Sequence, residues 1–354
     1  MQITRAEVIP IELKLRLPIR MARIPPIDRV HAFFVHLETR DCLNAWGCAV
    51  AHPNLTNESP QHALIALCQC ADQAPYLHPT NIEQSLARLE PLTKDSLAAR
   101  CAFDLAFHDL LGLAAGLPLY RLFGGYRNKI QTSATVPIAP VQDSVDFAKS
   151  MARQGYRLLK IKGGEDPDLD VERIKAIHRS LPDITLRLDA DGGYNLEQSI
   201  DVAGALIGLV EMIEQPTRPD DLESLRQVTR YSSIPILADQ SVSSPRNALY
   251  LAANHSASGF CIKVAESGGL LGARQINAIA RAAGLVTMIG CLIEPMLLIS
   301  AGLSLALSSP NVKYCDLDGY RDLVNDPTQV DGFQQIDGWL HASEVPGLGC
   351  NLSL

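Results

Sequence analysis

No run of about 18 or more apolar residues occurs in this chain of 354 residues, so nothing in it reads as a membrane-spanning helix. No basic tract occurs either. Thirty-one Lys and Arg face 39 Asp and Glu, the net charge is −8 and the pI is near 5.6. Nucleic acid and anionic membrane surfaces are therefore poor partners. There is no Cys-x-x-Cys pair. The nine cysteines (Cys42, Cys48, Cys68, Cys70, Cys101, Cys261, Cys291, Cys315 and Cys350) are odd in number and mostly embedded in apolar stretches. That usage fits reduced core thiols rather than a disulfide framework or a zinc site. The opening MQITRAEVIPIEL lacks the charged-then-apolar pattern of a signal peptide and reads as a strand. These absences lead to the expectation of a cytoplasmic protein acting on a small molecule. They leave open whether it forms a homo-oligomer.

What is present is a globular composition, 47% hydrophobic and 20% charged, with 24 Gly and 22 Pro. A chain of this length can bury a large core. Residues 1–125 mix both element types. Segments 2–14, 32–39 and 45–50 are rich in β-formers, with a turn over 40–44. Segments 61–73, 82–89 and 94–116 carry helical spacing. From residue 126 short apolar runs alternate with helical segments. The predicted strands are 130–136, 156–161, 184–188, 210–213, 234–238, 258–262, 285–289 and 312–315. Eight strands with seven helical stretches between them predict a parallel sheet, and favour a closed barrel over 126–325. An open doubly wound sheet is the alternative. The remainder, 326–354, has no further strand-helix unit and is expected to fold back on the N-terminal part.

A parallel barrel places its chemistry at the C-terminal ends of its strands. The third, fourth and fifth strands end in Asp189, Glu214 and Asp239, spaced 25 residues apart. Three carboxylates on one rim repel one another unless a cation lies between them, and all-oxygen ligation suits Mg²⁺. The bland reading is that each acid caps the helix that follows. The second strand carries Lys160 and Lys162, two residues apart and so on one side. The sixth ends in Lys263. Strands two and six of eight are diametrically opposed, with the acidic strands on the arc between. A substrate carboxylate at the cation would have its α-carbon between Lys162 and Lys263. Removing a proton beside a carboxylate needs a cation to stabilise the enediolate and a base, and a lysine serves if neighbouring cations lower its pKa. A Lys base with Mg²⁺ is a known pairing for such sites.

The set Lys160-Ile161-Lys162, Asp189-Ala190, Glu214-Gln215-Pro216, Asp239 and Lys263 followed by Gly268-Gly269 resembles the muconate-lactonizing subgroup of the enolase superfamily. The resemblance runs through nearly the whole chain. It implies a modified TIM barrel, (β/α)7β, with an α+β N-terminal capping domain completed by the C-terminal tail. It implies Mg²⁺ on Asp189, Glu214 and Asp239, Lys162 and Lys263 as the acid-base pair, and Lys160 assisting the substrate carboxylate. Asp316-Leu317-Asp318 after the eighth strand resembles the dipeptide epimerases, of the kind that act on L-Ala-D/L-Glu. In these the two acids hold the substrate's ammonium group, and two carboxylates can share a cationic donor. A polar turn is the bland reading of the same residues. The expected reaction is epimerisation of a dipeptide with a free N-terminus. The alternatives within the subgroup are N-acylamino-acid racemase, o-succinylbenzoate synthase and muconate cycloisomerase. Outside it stand a Schiff-base aldolase and a non-catalytic binding protein on an inherited barrel.

Three positions depart from the family's usual pattern. Asp191 stands where Asn is common, Gln240 where Glu is common, and Ala45-Trp46-Gly47-Cys48 where Gly-x-Gly-Glu is common. The first two exchange a charge close to the metal ligands. Arg20 and Arg23, in a capping loop expected over 17–26, together with His52 and Asn54, are the candidates for reading the second substrate residue. An Arg would suit an acidic side chain. His108 and His255 are expected to be structural.

Overall fold

The computed structural model describes residues 1–353; Leu354, the end of the expected C-terminal segment, lies outside them. The N-terminal part is an antiparallel sheet of Ile3–Met21, Ile24–Thr39 and Asn44–Ala51, backed by helices Pro60–Gln73, Ile82–Thr93 and Leu97–Ala115. Ser59 caps the first helix through the His62 N–H and Ser96 the third through the Ala99 N–H. Gly116, at φ +65°, ends the third helix in the left-handed region that Gly adopts freely. The third helix lies directly on strand Asn44–Ala51. A Cβ on Gly47 would come within 1.8 Å of the Ala102 carbonyl oxygen, which is the packing reason for Gly in Ala45-Trp46-Gly47-Cys48.

One expectation fails here. Residues 17–26 are not a loop but the tip of the first hairpin, pairing Ile19 with Ile27 and Met21 with Ile24 around Ala22-Arg23. Pro18, Pro25 and Pro26 disguise it. They sit where the register shifts after Lys14, so few ladder donors are required of them.

The barrel strands are Ala134–Val136, Leu158–Lys162, Thr185–Asp189, Ile213–Glu214, Ile236–Ala238, Gly259–Lys263, Val286–Gly290 and Val312–Cys315, all parallel and in sequential order. Seven helices connect them, from Val141–Arg153 to Met296–Ser308. The expected first strand is split. Lys129–Gln131 pairs antiparallel with Trp339–Ala342 of the tail, and only Ala134–Val136 joins the barrel. Among the described residues the eighth and first strands share no ladder. Their seam is closed by Ser133 N–H to the Cys315 carbonyl (3.3 Å), Leu317 N–H to Thr132 Oγ1 (2.9 Å) and Thr135 N–H to Asp318 Oδ2 (2.7 Å).

Below the rim, Met212, Leu237, Cys261 and Met288, with Tyr314 against them, form an apolar cluster apart from the main core. Each precedes a rim residue by two and so points the same way. Arg187 enters this layer too. Its guanidinium reaches Glu211 (2.5 Å) and the Cys315 carbonyl (3.0 Å) and stacks over Tyr314. In the tail, the Leu348 N–H donates to Asp109 of the third capping helix (2.7 Å) and the Gly347 carbonyl accepts from Leu119 (3.1 Å). The nine cysteines are all unbonded, and no helix of the described residues is long and apolar enough to cross a membrane.

Candidate active site

Strand register brings the predicted residues to one height. Lys162 pairs with Asp189, and Asp189 with Glu214. The strand-end acids do not cap helices. Asn195, Asp221 and Ser244 cap the helices after the third, fourth and fifth strands through their own side chains. Asp189, Glu214 and Asp239 are thereby left to the barrel mouth, all buried.

Three ammonium groups meet them. Lys160 Nζ lies 2.8 Å from Asp189, 2.9 Å from Glu214 and 2.6 Å from Asp316. Lys162 Nζ lies 2.8 Å from both Asp189 and Asp191. Lys263 Nζ lies 2.6 Å from Asp239 and 3.5 Å from Glu266. Burial disfavours each ammonium, but the surrounding carboxylates outweigh it and hold all three lysines above their ordinary pKa. Lys160 lowers Lys162, while Asp189 and Asp191 raise it. Against burial, Lys160 and Lys162 hold Asp189 well below the usual carboxylate range. Glu214 goes the other way. Burial first, then the neighbouring Asp189 charge, push it up to about 8.

The residues fit a dication. Asp189, Asp191, Glu214, Asp239, Glu266, Asp316 and Asp318 outnumber the three lysines by four. Neither oxygen of buried Glu214 has a hydrogen-bond partner. Lys160 Nζ lies 2.9 Å from it as an ion pair without hydrogen-bond alignment. A buried carboxylate without an aligned donor suits a cation. The tightest cluster of potential ligand atoms, within 4.8 Å of one another, is Glu214, Asp239 and Cys261. Asp189 is turned toward the lysines instead. A hard cation prefers oxygens, so the thiol of Cys261 is a poor ligand for it, and the predicted third carboxylate, Asp189, stands beside the cluster with its oxygens on Lys160, Lys162 and the Asp191 N–H.

The acids after the eighth strand also help to close the barrel. Asp316 accepts from Lys160 and from Ser133 (2.5 Å), and Asp318 from the Thr135 N–H and hydroxyl. Against burial, Lys160 lowers Asp316. Burial, then the Asp316 charge, raises Asp318 to about 6. Both line a cavity of about 310 Å³ with Lys160, Lys162 and Lys263. A second cavity, of about 410 Å³, shares Lys263, Met21, Leu55 and Leu292 with it and extends past Asp191, Gln240, Arg23 and Asn54.

The remaining candidates separate. Arg23, exposed at the hairpin tip, reaches the Asp191 carbonyl (3.3 Å) and lines the second cavity. Arg20 lines neither cavity; it pairs with exposed Glu165 at 2.7 Å. His52 accepts from the Asn54 N–H and stays within its own turn. His108 is locked against Asp104 in the capping helix, and His255 occupies a turn with φ +50°. Gln240 donates to Asp191 at 3.3 Å, so two departures from the family pattern touch. Sequence reasoning missed Glu266 and Cys261. A helical turn beyond Lys263 would have pointed to the first, and the same two-residue period that turns Lys263 inward would have pointed to the second.

Two family models match the chain: "Mandelate racemase / muconate lactonizing enzyme, N-terminal domain" over residues 3–124 and "Enolase C-terminal domain-like" over residues 143–353. An L-Lys-D/L-Arg epimerase of Methylococcus capsulatus is 34% identical over 335 residues, 91% of this chain and 92% of that one. The fold superposes on a substrate-liganded L-Ala-D/L-Glu epimerase from Bacillus subtilis with a TM-score of 0.95 at 30% identity, covering 100% of both chains. It matches a dipeptide epimerase from Enterococcus faecalis, complexed with Mg and L-Leu-L-Tyr, equally well: TM-score 0.95, 30% identity, 99% of this chain and 100% of that one.

Proposed function

We propose a reaction for this chain from the premise that it belongs to the enolase superfamily, in the family of mandelate racemase and muconate lactonizing enzyme: it is a Mg²⁺-dependent isomerase that epimerises dipeptides. The observation that carries this reading is one cavity walled by Lys160, Lys162, Lys263, Asp316 and Asp318, set beside an underbonded Glu214.

Asp189, Glu214 and Asp239 would hold Mg²⁺, which would supply Lewis-acid stabilisation of the enediolate. Lys160, buried at the centre, holds a substrate carboxylate oxygen. Asp316 and Asp318 hold the α-ammonium group of the first residue. The α-carbon of the second residue then lies between strands two and six. Lys162 in its neutral form takes the α-proton from one face while the Lys263 ammonium gives a proton to the other, and the protonation states and roles reverse for the opposite epimer. Each lysine is steered by its own acids, Asp191 for Lys162 and Glu266 for Lys263.

The test is α-proton exchange in D₂O, followed by NMR over a set of free dipeptides. Exchange and epimerisation should disappear in EDTA and return with added Mg²⁺. Full turnover in chelated protein would end this reading. A second reading has one observation in its favour. Ser133, Thr135 and Lys160 already donate to Asp316 and Asp318, so the pair could serve the barrel seam alone, and the substrate would then be an N-acylated amino acid. Faster exchange with N-acylated than with free substrates would select it.

A further inference from the structure

We propose that the dipeptides this protein prefers carry an apolar first residue with a side chain larger than a methyl group. The inference rests on the epimerase reading and adds the substrate class to it. If the ammonium group sits at Asp316 and Asp318, the first residue's α-carbon is one bond away, about 1.5 Å. Its side chain must then enter the same cavity. Away from the lysines and the aspartates that cavity is mostly apolar. Leu17 and Ile19 reach it from the hairpin tip, Pro137 from the end of the first barrel strand, Phe147 and Met151 from the helix that follows, and Ile293 from beyond the seventh strand. Phe147 and Met151 are four residues apart on helix Val141–Arg153 and so share a face.

Two of these walls are left open to water. Leu17 is 72% exposed and Phe147 36%. Large apolar side chains gathered at the mouth of a polar catalytic pocket mark a surface that a ligand covers. The charged residues of this wall offer a substrate little. The Arg321 guanidinium is committed to Met151 Sδ and Gln154 Oε1, each at 3.2 Å, and stacks on the Tyr156 ring. Asp322 is exposed at the rim, facing solvent. A charged first residue would leave water for a largely apolar wall whose charges beyond Asp316 and Asp318 are Asp322, at the rim, and Arg321, already hydrogen-bonded.

The experiment uses the Mg²⁺-loaded enzyme and five first residues (L-Ala, L-Leu, L-Phe, L-Lys, L-Glu), each joined in turn to L-Ala and to L-Glu. The readout is kcat/KM for α-deuterium exchange. One methylene in an apolar pocket is worth roughly tenfold or more, so L-Leu and L-Phe first residues should exceed L-Ala by at least about tenfold, and L-Lys and L-Glu by more. Phe147→Ala should shrink the L-Leu to L-Ala ratio, and Phe147→Glu should raise L-Lys relative to L-Leu. A lead for L-Lys, as Asp322 would favour, or for L-Glu overturns the proposal while leaving the epimerase reading intact. So do ratios that neither Phe147 variant moves. Exchange with none of the free dipeptides overturns both together.

Discussion

Replacing Lys263 by Ala separates what the residue does for folding from what it does for turnover. The Lys263 ammonium is buried 2.6 Å from Asp239 and 3.5 Å from Glu266. Removing one partner of a buried pair leaves the other charge uncompensated, at a cost of roughly 3–5 kcal/mol. The metal-free variant should therefore melt well below the metal-free wild type. Mg²⁺ should recover much of that loss, because Asp239 is one of the acids that would hold it. Activity should not recover. General acid-base groups contribute about 10²–10⁴-fold, and epimerisation should fall by that factor even in saturating Mg²⁺. In D₂O, Lys162 should still exchange the α-proton of one epimer, with deuterium returning to the same face. Lys162→Ala should leave the complementary half-reaction. The assay is NMR of deuterium incorporation into each epimer separately, beside thermal melts with and without Mg²⁺. Lys263→Ala that interconverts the epimers at near wild-type rate would refute the two-lysine reasoning. Loss of both half-exchanges in a Mg²⁺-stabilised, folded variant would count equally against it.

Asp316→Asn and Asp318→Asn should each raise KM for free dipeptides by roughly tenfold or more, since a hydrogen bond to a charged group contributes about 1.5–3 kcal/mol; steady-state kinetics against N-acetylated substrates checks it. Glu214→Gln should weaken Mg²⁺ binding measured by calorimetry, because it removes a buried carboxylate from the acids that would hold the ion. Glu294 is 2% exposed and its carboxyl is pushed by burial up to about 8. Its folded pKa lies above its unfolded one, so it contributes stability that is full below about pH 4.5 and lost as pH rises through about 8. Wild type should accordingly lose melting temperature between about pH 4.5 and 8, and Glu294→Gln should lose less.

Much of the fold was legible because a barrel repeats one signal. Short apolar runs spaced by amphipathic segments predict parallel strands whatever the side chains at the rim. The failures fall where side chains replace the ladder. Residues 130–136 read as one strand, yet Thr132 and Ser133 interrupt it to bind Leu317 and Cys315 across the seam. The fourth strand shortens to Ile213–Glu214, although Glu211 and Met212 still bond to Leu186 and Leu188. The hairpin tip was hidden by three prolines that ordinarily end strands. None of these depends on local propensity. Each depends on what the segment faces across the barrel.

In the site, period-two alternation was enough to place the acids and lysines on one rim, but it does not say which acid serves which lysine. The structure pairs each lysine of the proposed couple with one acid at a strand end and one in the loop beyond. Lys162 has Asp189 and Asp191; Lys263 has Asp239 and Glu266. This gives the two unusual residues a common reason. With Gln at 240, a carboxylate is missing beside Asp239, and Glu266 stands near Lys263 instead. The carboxylate gained at 191 binds Lys162 and accepts a hydrogen bond from the Gln240 side chain. Charge has moved across one hydrogen bond, and both lysines keep two acidic neighbours. A reaction that runs in both directions through two bases needs the two to be similarly poised, since a proton held far more tightly on one side would stall one direction. Lys162 and Lys263, each beside two carboxylates, supply the two groups that a two-base epimerisation requires.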